Sequence, residues 1–66
     1  MRVFVNEEPR ETSAHALMVL LEELGVSQEW GVAVALNGIV VPRATWATQT
    51  LQEGCQILII KAAQGG

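Results

Sequence analysis

Alternation opens the chain. In MRVFV, Met1, Val3 and Val5 fall on one face and Arg2 and Phe4 on the other, the period-two pattern of a strand. Asn6 to Pro9 are polar and turn-like, and a weaker second strand around Arg10 to Thr12 would complete an N-terminal hairpin. The period then changes. Leu17, Leu20, Leu21 and Leu24 stand at i, i+3, i+4 and i+7, which makes one apolar stripe on an amphipathic helix. Ser13 is the expected N-cap, and Gly25 stands where a C′ glycine ends a helix. Glu22 and Glu23 lie near the C-terminal end, where the helix dipole disfavours them, and read as a solvated face.

From Val32 the alternation returns, with Val32, Val34 and Leu36 facing one way and Ala33 and Ala35 the other. Asn37-Gly38 is a strong tight-turn signal, after which Ile39 to Val41 run back briefly and Pro42 ends the stretch. RATWATQTL is too short for an independent helix and suits a single helical turn, with Trp46 tucked into the core edge. Glu53-Gly54 reads as a turn, and QILIIKA as the last strand with Ile57 and Ile59 inward. One helix must then lie across one face of a sheet and bury its leucine stripe there. This is an α+β fold, the ubiquitin-like β-grasp: a mixed sheet of four or five strands on one main helix, first and last strands parallel at the centre. Residues 1–62 are expected to form the domain and residues 63–66 a flexible tail ending in Gly65-Gly66.

Length and composition narrow the function classes. A chain of 66 residues is one domain. It buries about 60% of its unfolded surface, and its core supplies on the order of 3–5 kcal/mol of net stability. The single cysteine excludes an intramolecular disulfide, and the single histidine leaves no zinc constellation, so no metal site is expected. Seven acidic residues against four scattered basic ones give a net charge of −3, which argues against nucleic acid. MRVFVNEE lacks the apolar segment of a signal peptide, and no run approaches a membrane span, so the expectation is a cytoplasmic protein.

Candidate chemistry inside the domain is sparse. His15 has no Ser, Cys or Asp at helical spacing to form a relay. Cys55 reads as a half-buried thiol with no basic neighbour in sequence to activate it. Glu7-Glu8 and Glu22-Glu23 are adjacent pairs whose side chains point apart, and the glycines are too dispersed to cradle a phosphate. The last strand differs. Ile57, Leu58, Ile59 and Ile60 are apolar on both faces, and a protein this small has no second layer to cover the outer one. Leu58 and Ile60 are therefore candidate docking residues leading straight into the tail, with Arg43 a further candidate.

The segment ALNGIVVPRATW, followed by LQEGCQILIIKAAQGG, resembles the ThiS family of sulfur carriers in thiamine biosynthesis. The matching pieces are the Asn37 turn, Val41-Pro42-Arg43 with Trp46 three residues on, Gly54 before Gln56-Ile57-Leu58, and the terminal Gly65-Gly66. Cys55 departs from the acidic residue common in that turn. The resemblance implies a carrier rather than an enzyme, with no bound cofactor. An E1-like, ThiF-type adenylyltransferase would use ATP to activate the carboxylate of Gly66. Sulfur from a persulfide donor such as a cysteine desulfurase would then give a thiocarboxylate, for delivery to a ThiG-type thiazole synthase.

Physical requirements favour such a tail. A β-carbon at either glycine would thicken the chain where it enters a narrow cleft and would restrict φ. Ala62 to Gly66, extended, span at most ~17 Å. Ala63, Gln64 and Gly65 are the expected threading residues and Gly66 the reactive one. Two alternatives share the activation step: the small carrier subunit of molybdopterin synthesis, and a ubiquitin-like modifier that joins Gly66 to target lysines.

Overall fold

The computed structural model describes residues 1–62. Strands β1 (Arg2–Val5) and β2 (Glu8–Glu11) form an antiparallel hairpin in which Arg2 faces Glu11 and Val5 faces Glu8. The connection is tighter than the sequence pattern suggests. Only Asn6 and Glu7 make the turn, both with positive φ (50° and 72°), a backbone twist that matches the strands it joins. Pro9 sits inside β2, opposite Phe4, rather than in the turn. It is tolerated there because β2 is the edge strand, where a missing N–H breaks no ladder.

Helix α1 (Leu17–Glu23) buries Leu17, Leu20 and Leu21 completely, as its spacing predicts, with Leu24 packed at the margin. Ser13 is not its cap. The N-cap is Ala16, whose side chain has nothing to offer, and the first amide groups find backbone partners instead. Leu17 N–H donates to the Gln49 carbonyl at 2.8 Å and Met18 N–H to the Trp46 carbonyl at 3.0 Å. The segment 46–51 therefore does what a capping side chain would otherwise do. At the other end Val26 N–H bonds the Leu21 carbonyl (3.0 Å) and Gly25 N–H the Glu22 carbonyl (3.1 Å). With Gly25 at φ +77°, this is a Schellman motif, and Val26 and Leu21 are both buried beside it.

The chain then forms β3 (Val32–Leu36), a two-residue Asn37-Gly38 turn, and β4 (Ile39–Val40). Pro42 leads into a single 3-10 turn, Arg43–Thr45, and β5 (Gln56–Lys61) closes the fold. The five strands make one mixed sheet in the order β2-β1-β5-β3-β4. Central β5 runs parallel to β1 through Phe4–Gln56 and Val5–Ile57, and antiparallel to β3 from Val32–Lys61 to Leu36–Ile57. This is the expected β-grasp. Both turn asparagines reach across to β5: Asn37 Oδ1 accepts from Gln56 N–H at 2.8 Å, and Asn6 Oδ1 from Ile59 N–H at 2.8 Å. The Asn6 amide also donates to the Ile59 carbonyl, so it extends the ladder beyond the end of β1.

Trp46 fills the core below the helix, 1% exposed, and its indole Nε1 donates to the Val41 carbonyl at 2.9 Å. Cys55 is fully buried rather than half-buried. The reason is the seam with β1. Gly54 N–H donates to the Arg2 carbonyl (2.7 Å), Arg2 N–H to the Glu53 carboxylate, and Phe4 N–H to the Cys55 carbonyl (2.9 Å). The turn at residues 53–54 is thus drawn against β1 and takes the thiol inward with it.

Candidate functional site: the root of the tail

The end of β5 is held on its β3 side. Ala62 N–H donates to the Gly31 carbonyl at 2.7 Å, and Lys61 Nζ lies 3.3 Å from Glu29 Oε2. Gly31 takes φ +73°, and a Cβ built on it would stand 3.1 Å from Ala62 Cβ, so a side chain there meets both strain and a neighbour. The loop between α1 and β3 therefore fixes the position of Ala62. Ala63, Gln64, Gly65 and Gly66, which carry the threading and reactive roles expected from the sequence, lie outside the described residues.

That loop is itself clamped. Arg43 reaches up from the 3-10 turn and donates through Nη1 to the Ser27 carbonyl (2.6 Å) and through Nη2 to the Glu29 carbonyl (2.7 Å). Its guanidinium lies 4.4 Å from the centroid of the Trp46 ring, a cation–π stack on a buried side chain. Core, Arg43, loop and strand end form one mechanical chain. Trp30 sits on this clamped loop and is 89% exposed. Sequence reasoning did not single it out, because a lone aromatic in the polar run SQEWG has no periodic partner.

Leu58 and Ile60 are 47% and 54% exposed on the outer face of β5, while Ile57 and Ile59 pack inward. Their β3 neighbours across the ladder are Ala35 and Ala33, so the outer strip stays low and apolar up to the strand end. Arg43, grouped with them in the sequence reading, donates to the loop carbonyls of Ser27 and Glu29. His15 is exposed. Among the described residues no group of three or more His, Cys, Asp or Glu could hold a metal ion. No helix among them is long and apolar enough to cross a membrane.

The geometry concentrates on the point where the tail leaves, and a match to the ThiS family runs over residues 2–66, the tail included. The chain belongs to the ThiS family. It is 36% identical over 67 residues to the sulfur carrier protein ThiS of Escherichia coli (strain K12), covering 100% of both chains. It also resembles the thiamine biosynthesis protein ThiS of Geobacter metallireducens. The crystal structure of that protein has a TM-score of 0.83 at 29% identity, with 100% of each chain covered. Its solution structure has a TM-score of 0.78 at 29% identity, over 100% of this chain and 88% of that one. As a ThiS-family member, the chain is a sulfur carrier of thiamine biosynthesis.

Proposed function

We propose that the carried sulfur sits on the C-terminal carboxyl carbon of Gly66, and that the folded domain is the handle by which partner enzymes hold it. A carboxylate is a poor electrophile, so sulfur cannot add until an oxygen becomes a leaving group. A ThiF-type adenylyltransferase supplies that step. The Gly66 carboxylate attacks the α-phosphate of ATP, pyrophosphate leaves, and an acyl-adenylate results. A persulfide sulfur then attacks the acyl carbon and AMP departs. Thiol reduction of the resulting disulfide bond leaves a thiocarboxylate, which a ThiG-type thiazole synthase takes up in the cytoplasm. In this scheme every catalytic group belongs to a partner, and the chain is substrate and carrier.

One observation carries this reading: the family match extends through the Gly65-Gly66 end, just beyond Ala62, whose N–H the Gly31 carbonyl holds. Two glycines bring no side chain to a narrow cleft, and threading the carbon into line with the α-phosphate is an orientation problem worth several kcal/mol of barrier. The division at residues 62 and 63 serves it, with residues 1–62 as the docking body and 63–66 as the working end. Leu58 and Ile60, on the outer face of the strand that feeds the tail, give a partner an apolar strip to seat against.

Replacement of the final residue tests the steric account. Gly66→Ala should fold and melt like the parent, yet acquire sulfur poorly and fail to restore growth of a thiazole auxotroph. Full complementation by that variant would refute it.

A further inference from the structure

An indole left 89% in water on a loop that is otherwise held rigid needs an explanation. Trp30 contributes nothing to the core, and no described hydrogen bond uses its Nε1. Its backbone, however, is fixed on both sides. Arg43 holds the Glu29 carbonyl, Lys61 pairs with the Glu29 carboxylate, and the Gly31 carbonyl takes the Ala62 amide. The end of β5 and the backbone on either side of Trp30 are therefore tied together.

Reach then limits what can touch it. Four residues separate Ala62 from the end of the chain, and extended they span about 14 Å. Any protein that encloses the Gly66 carboxyl must bring its own surface within that distance of Ala62, and so close to the loop carrying Trp30. We propose that Trp30 is a docking anchor for the adenylylating enzyme, inserted into an apolar socket at the mouth of the cleft that receives the tail. This rests on the reading of Gly66 as the reactive residue. The chain's net charge of −3 suits a socket with a basic rim. The depression beside Trp30, lined by Gln28, Glu29, Trp30 and Arg43, measures about 140 Å³. That is well below the roughly 300–1,000 Å³ of small-molecule sites, which favours a protein partner over a bound metabolite. Tryptophan is the residue most enriched at interface hot spots, and preorganisation lowers the ordering cost of using it.

The test is steady-state adenylylation of the full chain by its adenylyltransferase, with Trp30→Ala, Trp30→Phe and, as control, Val19→Ala on the exposed side of α1. Circular dichroism and melting should be unchanged for the Trp30 variants. Trp30→Ala should raise KM for the carrier at least about tenfold, the effect of losing a modest hot spot, with kcat held within twofold. Trp30→Phe should fall between, and Val19→Ala should match the parent. An unaltered KM in Trp30→Ala, or a loss confined to kcat, would overturn the anchor. Failure of the parent chain itself to form an adenylate would overturn the functional reading first, and this inference with it.

Discussion

Trp46 is 1% exposed, bonded through its indole nitrogen and roofed by Arg43, so its truncation removes packing and a hydrogen bond together. Large-to-small changes of this kind cost about 3–5 kcal/mol, against a net stability of the same order for a domain this small. Trp46→Ala should therefore be unfolded at 25 °C by circular dichroism. Arg43→Ala should remain folded but lose about 1–2 kcal/mol in urea titrations, since its two bonds are to loop carbonyls and one is exposed. Gly31→Ala forces an L-residue to φ +73° with a methyl 3.1 Å away, and should cost about 1–2 kcal/mol. Its amide exchange should rise selectively at Ala62. The burial of Trp46 was legible in the sequence from its place after Pro42. The destination of Arg43 was not, because its partners are backbone carbonyls of a loop 14 to 16 residues away, which no side-chain pattern reports.

Among the elements, the helix start separates local from tertiary control. Because the first amides of α1 are bonded by residues 46 and 49, Ser13→Ala should change stability by less than about 0.5 kcal/mol. Thr12→Ala should cost about 1–2 kcal/mol, since its hydroxyl accepts from Ala14 N–H and donates to Glu23. The reverse order in chemical denaturation would restore Ser13 as the cap. Element types followed from periodicity: the leucine stripe, the Val32 alternation and the two-faced β5 are all where the pattern put them. The Gly25 stop was readable because its signal lies within the helix's own sequence. The helix cap and the first turn were misjudged for a common reason. Pro9 and Ser13 are local signals, and both were overridden by distant geometry, an edge position in the sheet and a neighbouring segment of chain.

At the scale of the molecule, the fold is arranged around β5, the central strand of the sheet. Two turn asparagines, the β1 seam and the clamped α1–β3 loop all fix that strand. The family was legible early, since Gly-Gly after a two-faced apolar strand and V-P-R-x-x-W together mark it. The tail root was not, because Gly31 and Ala62 meet only after folding. The most direct measurement is the intact mass of the full chain after incubation with ATP, its adenylyltransferase and a persulfide donor, with fragmentation to locate any change. The account predicts the exchange of one oxygen for one sulfur, confined to Gly66. An unmodified C-terminal carboxylate, under conditions that convert the Escherichia coli relative with its own enzymes, or sulfur located elsewhere on the chain, would contradict it.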